Sequence, residues 1–109
     1  MKNSGDLVFI YTTLPDESAA AAMARALVER RLAACCNILP PMRALYRWEG
    51  AIEETQETAM LIKTRRALID EATAAATALH PFETPCLLTL PIESANAAYL
   101  AWALGETAR

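Results

Sequence analysis

Glycine is scarce: Gly5, Gly50 and Gly105 are the only three in 109 residues. No segment is therefore Gly-rich enough to wrap backbone N–H groups around a phosphate. There is one histidine, His80, and no Ser or Cys stands in a nucleophile-elbow pattern, so no catalytic triad is legible. The three cysteines, Cys35, Cys36 and Cys86, are an odd number with an adjacent pair. That is no disulfide framework, and it points to reduced thiols and a cytoplasmic setting. A basic excess is also missing, since the formal net charge is −3. Affinity for nucleic acid rests on neutralising phosphates, so Arg30-Arg31 and Arg65-Arg66 read as solvated helix ends. The heavy-metal C-x-x-C motif is absent from the first loop, where Thr12-Thr13-Leu14-Pro15 stands instead. No run approaches the ~20 apolar residues of a membrane span, and the polar start, Met1 to Asp6, shows no signal-peptide cleavage region. Together these exclusions favour a binding protein over an enzyme, with neither nucleic acid nor membrane as partner.

What is present is alanine, 23 residues of it. Alanine adds little buried area per side chain, so the core is lean for one domain spanning 1–109, and subunit association is the expected extra source of stability. Leu7 to Thr13 is β-branched and aromatic on both faces, as a covered central strand requires. Asp16 to Leu32 has helical spacing, with Ala20, Met23, Ala24, Leu27 and Val28 on one face. From Cys35 to Trp48 the pattern is extended but interrupted by Pro40-Pro41, which cannot donate to a ladder and predict a bulge or kink. Glu49-Gly50 predicts a two-residue hairpin turn, followed by a return strand from Ala51 to Thr64. A hairpin this long reaches past a compact core, and its far end needs another subunit to pack on. A second helix ends at His80-Pro81, and a fourth strand spans Cys86 to Leu90. Ser94 is the expected cap of a last helix running to Leu104, with Gly105 at its C′ position. The order is βαββαβ plus a terminal helix, an α+β ferredoxin-like sandwich.

Neighbouring residues on a strand point to opposite faces, so at most one of Cys35 and Cys36 can ligate a given ion, and the other belongs to the core. His80 supplies one nitrogen where a tight transition-metal site wants about four donors. A symmetric oligomer can pool donors from several chains, and thiolate with imidazole favours copper or zinc. The ordinary alternative is two small buried thiols and a histidine bonded to a helix end. Tyr46, Trp48, Lys63, Tyr99 and Trp102 suit subunit packing. They also suit a pocket between subunits, with Lys63 as the electrostatic anchor and Glu57 opposite it in charge.

Several separated motifs carry a resemblance. Leu32-Ala33-Ala34-Cys35-Cys36-Asn37-Ile38-Leu39-Pro40, Leu45-Tyr46-Arg47-Trp48-Glu49-Gly50, Ile62-Lys63-Thr64, His80-Pro81-Phe82-Glu83-Thr84-Pro85 and Tyr99-Leu100-Ala101-Trp102 resemble the CutA family of divalent-cation tolerance proteins. The resemblance implies a ferredoxin-like subunit in a homotrimer built like the PII signalling proteins, with the long hairpin joining neighbours. It implies tolerance of, and response to, metal ions, with copper or a related divalent ion weakly held by Cys35 and His80, and no organic cofactor. The alternative implied function is a PII-like regulator. Its inter-subunit cleft, drawn from Tyr46, Trp48, Glu57, Lys63, Glu83 and Trp102, takes a small anionic ligand. Four residues depart from the family pattern: Thr12 for a Cys of some members, Pro41 for Gly, Phe82 for Tyr, and Cys86 for an acidic residue.

Overall fold

The computed structural model describes residues 2–3 and 6–107. Its elements are β1 (Lys2–Asn3), β2 (Leu7–Leu14), α1 (Glu17–Glu29), β3 (Cys35–Ile38), β4 (Met42–Trp48) and β5 (Ala51–Arg65). A 3₁₀ turn (Arg66–Leu68) then leads to α2 (Ile69–Leu79), β6 (Leu87–Pro91), β7 (Ser94–Ala95) and α3 (Ala97–Glu106). The main sheet has the order β3-β5-β2-β6, antiparallel throughout. This is the ferredoxin-like arrangement, with β3 and β4 together forming its second strand.

Alternation along the strands sorts the side chains into two faces. Ile10, Leu14, Met60 and Ile62 are buried on one face beneath Ala20, Met23 and Leu27 of α1 and Ala72 and Ala76 of α2. The small helix residues let the backbones come close, which compensates for their small individual area. Two hydroxyls on this buried face, Thr12 Oγ1 and Thr58 Oγ1, have no hydrogen-bond partner, whereas Thr64 Oγ1 donates to Leu32 O at 2.7 Å. The opposite face is covered only at one end. There α3 packs Ala103, Tyr99 and Leu100 around Leu7 and Ala34. Beyond it Leu88 is 57% and Leu90 44% exposed.

The proline pair works as expected. Ile38 pairs with Met60 and Met42 with Glu57, so four steps along the proline strand match three along β5, which is a one-residue bulge. Past it, β4 and the first half of β5 continue as a two-stranded arm closed by Trp48 opposite Ala51. Glu49 (φ 48°) and Gly50 (φ 82°) both occupy the left-handed region that a type I′ turn demands. The arm accounts for the elongated shape, 45 × 25 × 23 Å.

Three boundaries differ from the sequence expectation. Helix α1 stops at Glu29 instead of Leu32, because Arg31 turns left-handed at φ 60°. Leu32 N then donates to Leu27 O and Arg31 N to Val28 O, a Schellman closure built without glycine. Ser94 is not a cap: it pairs with Asn3 in β7, and α3 starts after Asn96. Gly105 lies inside α3, and its carbonyl accepts from Arg31 Nη2 at 2.7 Å. Arg65 donates to Leu104 O and, at 3.0 Å, to Thr107 Oγ1. Two of the arginines expected at solvated helix ends therefore close the C-terminus of α3, where carbonyls point outward and cations are favoured.

Candidate functional site

Cys35 and Cys36 separate as strand geometry requires. Cys36 pairs with Ile62 and packs on the helix-side core. Burial, and secondarily the neighbouring Cys35, push its thiol up to about 12, so it stays protonated and is no ligand near neutrality. Cys35 pairs with Lys63 on the open face and is half-buried, with the Asn37 amide donating weakly to its Sγ at 3.8 Å. Of the two thiols, Cys35 is the one that can be reached.

His80 stands just beyond α2 and is 9% exposed. Both ring nitrogens are engaged: Nε2 lies 2.8 Å from Thr13 O, and Phe82 N donates to Nδ1 at 3.2 Å. These partners set the tautomer with its proton on Nε2, which donates to the carbonyl, while the one available lone pair, on Nδ1, is taken by the Phe82 N–H. The arrangement pins the segment after α2 to β2 and sets the Phe82 ring 5.0 Å from the imidazole. Cys35 and His80 do not meet within one chain. Cys35 lies opposite Lys63, Lys63 opposite Phe9, and Thr13 four residues further along β2. At strand spacing the backbones of Cys35 and Thr13 are about 16 Å apart. Among the described residues no three His, Cys, Asp or Glu side chains gather as a metal cluster.

The cleft residues divide as well. Tyr46, Trp48, Glu57 and Glu83 line one cavity of about 600 Å³, together with Phe82 and Cys86. Tyr46 and Trp48 stand two residues apart on one face of β4, and the arm's register puts Glu57 on that same face. Glu57 is 9% exposed and accepts from Thr55 Oγ1 at 3.0 Å. The Tyr46 hydroxyl lies 3.5 Å from that same oxygen. Arg43 brings no free cation to the cavity, because its Nε is held by Glu54 Oε2 at 2.8 Å. Burial and the Glu57 carboxylate raise the Cys86 thiol above its ordinary value, so it too stays neutral. The segment carrying Phe82, Glu83 and Cys86 reaches the arm because His80 ties it to β2.

Lys63 and Trp102 lie outside this cavity. Lys63 Nζ donates to Tyr99 Oη at 3.4 Å and sits 5.4 and 5.8 Å from the Tyr99 and Phe9 ring centroids. Trp102 packs against Tyr99 at 5.5 Å and remains 46% exposed. Sequence reasoning missed Thr13 and Thr84 in the cavity wall; neither carries any signal in the sequence beyond adjacency to named residues.

The comparisons with known proteins agree with this architecture. Residues 8–106 match the family model described as CutA1 divalent ion tolerance protein. A divalent-cation tolerance protein CutA from Thermus thermophilus is 42% identical over 93 residues, covering 85% of this chain and 90% of that protein. A CutA homolog from Xenopus laevis is 41% identical over 99 residues, covering 91% of this chain. The chain spans 66% of the length of that relative and 55% of the mouse and human ones. The crystal structure of CutA from Xylella fastidiosa superposes with a TM-score of 0.92 at 38% identity, covering 94% of this chain and 99% of that one.

Proposed function

The chain belongs to the CutA1 family of divalent ion tolerance proteins, and from that premise we propose that it acts as a homotrimer which takes up copper or a related divalent ion and so contributes to the response to metal ions. The observation that carries this reading is the uncovered sheet face. Leu88 and Leu90 are exposed on it, and Cys35 stands on the same face with a reachable thiol. A sheet buries both faces when it can, and copies docking there would each bring a thiol toward the others. Cys35 is the donor on which the reading rests; His80 joins only by giving up one of its two hydrogen bonds. Three free thiols suit a reducing cytoplasm, and among the described residues no helix is long and apolar enough to cross a membrane. No catalytic step is assigned to it.

Calorimetric titration of reduced protein with copper, beside Cys35→Ala, tests the metal; sedimentation equilibrium tests the trimer. Saturable binding weakened by the substitution supports the reading. Binding indifferent to Cys35, or a monomer at micromolar concentration, overturns it.

One observation favours the PII-like alternative. Lys63 is half-buried, and among the described residues it meets the Phe9 ring and the ring and hydroxyl of Tyr99 and no carboxylate, leaving a positive charge for a small anionic ligand to meet between subunits. A thermal-shift screen of nucleotides and small metabolites, repeated on Lys63→Ala, checks it. A melting temperature unmoved across the screen counts against this alternative.

A further inference from the structure

The cavity between the arm and the segment after α2 has a chemistry of its own, separate from Cys35. Three aromatic side chains from two different elements line it: Tyr46 and Trp48 from β4, and Phe82 from beyond α2. Two carboxylates, Glu57 and Glu83, share the lining. The one cationic side chain in the lining, Arg43, is already neutralised by Glu54. Glu57 is the informative member. It is 9% exposed and its hydrogen bond comes from a neutral hydroxyl, so among the described residues of one chain its negative charge is buried without a paired cation. Burying an unpaired carboxylate is unfavourable unless something positive compensates for it.

Different ligand classes fare differently here. An anion meets two carboxylates. A neutral apolar molecule leaves the buried charge uncompensated. A bare metal ion wants several anionic or imidazole donors, but His80 has both nitrogens engaged and the Cys86 thiol is held protonated by burial and by Glu57. What remains is a cation that is itself apolar on its surface. An alkylated ammonium spreads its charge over methyl groups, asks for no coordinating lone pairs, and is attracted by the faces of aromatic rings.

We propose that the cavity lined by Tyr46, Trp48, Phe82 and Glu57 binds an organic cation of the substituted-ammonium class, the rings taking the alkylated head and the Glu57 carboxylate balancing its charge. A volume of about 600 Å³ holds a small-molecule cation with room for a polar tail, within the usual range for small-molecule sites. His80 serves as a positioning residue, because its bonds to Thr13 O and from Phe82 N hold the third ring in place. Cys35 is not among the lining residues, so this site is separate from the thiol face.

The test uses choline as probe and 3,3-dimethylbutan-1-ol as its neutral isostere, each titrated into the full chain by calorimetry. Saturable choline binding is expected, with the neutral isostere weaker by about tenfold, the scale of a desolvated cation–π contribution. Glu57→Gln and Trp48→Leu should each weaken choline by several-fold to tenfold, with circular dichroism confirming the fold. Cys35→Ala should leave it unchanged. Equal affinity for the two probes overturns the proposal, as does a failure of choline to saturate at tens of millimolar. That comparison is made on the unaltered chain, so it stands even if a variant misfolds. Copper binding is read through Cys35 and choline binding through Glu57, so either reading can fail alone.

Discussion

At the scale of single residues, the adjacent thiols illustrate how one strand position separates two chemistries. Cys36 faces the core with its thiol pushed up to about 12, while Cys35 is reachable on the other face. An acid whose folded value is raised stabilises the protein fully below its unfolded value, near 9, and loses that contribution as pH rises through the folded one. Between pH 9 and 12 Cys36 should therefore lower stability by up to about 1.4 kcal/mol per pH unit. Urea denaturation across that window should show a shallower alkaline decline in Cys36→Ala than in the parent. Iodoacetamide at pH 8 should modify Cys35 well before Cys36. A second residue-scale prediction concerns Thr12 and Thr58, whose buried hydroxyls lack partners. Replacing a buried unpaired hydroxyl by a methyl removes a desolvation penalty, so Thr12→Val or Thr58→Val should stabilise by about 1–2 kcal/mol. A loss of stability on denaturant titration would show that the hydroxyl is satisfied in solution. Of the site, Tyr46, Trp48, Glu57 and Glu83 were legible as a group from the sequence and converge on one cavity. Lys63 and Trp102, grouped with them for a cleft between subunits, lie apart from that cavity within one chain, where strand register sets Lys63 against the Tyr99 ring. Register is a long-range property that residue type does not carry.

At the scale of elements, what could be read from the sequence is what local chemistry dictates. A run β-branched and aromatic on both faces marked β2, the prolines marked the bulge, and Glu49-Gly50 marked the hairpin turn. The end of α1 was not legible because its left-handed closing residue is not a glycine, and that of α3 was not legible because its closure is tertiary. Arg31 takes the left-handed position where glycine is usual, and its guanidinium reaches Gly105 O, 74 residues away. Arg65 likewise closes α3 from the end of β5. No window of sequence around Ser94 contains Asn3, its strand partner, and none around Gly105 contains Arg31 or Arg65. The turn itself gives an element-scale prediction. Glu49 sits at φ 48°, where a residue with a Cβ is strained but Asn is tolerated. Glu49→Asn should raise stability by about 0.5–1 kcal/mol in denaturant titrations. Gly50→Ala, at φ 82° with open space around the new methyl, should lower it by about 1 kcal/mol through backbone strain alone. Equal stabilities for all three would mean that the arm is not formed as a type I′ hairpin in solution.

At the scale of the whole molecule, the two layers are unequal. Helices α1 and α2 cover one face of the sheet, and α3 covers only one end of the other. The remainder exposes Leu88 and Leu90, and the arm exposes Leu45 at 61% and Ile52 at 63%. A large apolar side chain is worth about 1.5–3 kcal/mol when fully buried, so covering these four across a symmetric contact is a substantial driving force. The core it would supplement is rich in alanine and carries two unpaired hydroxyls. If assembly supplies part of the stability, folding and association are linked and the melting temperature must rise with protein concentration. The unaltered chain should show that dependence, together with a trimer mass by sedimentation equilibrium. Leu88→Glu should abolish both. The substitution places a charge on a position that is already 57% exposed in one chain, so the isolated fold tolerates it, while a docked copy would have to bury it unpaired. The variant should therefore sediment as a monomer with a lower melting temperature that no longer depends on concentration. A trimer that survives Leu88→Glu would place the subunit contact on the arm and away from the sheet face. The Cys35 thiols would then have no reason to approach one another.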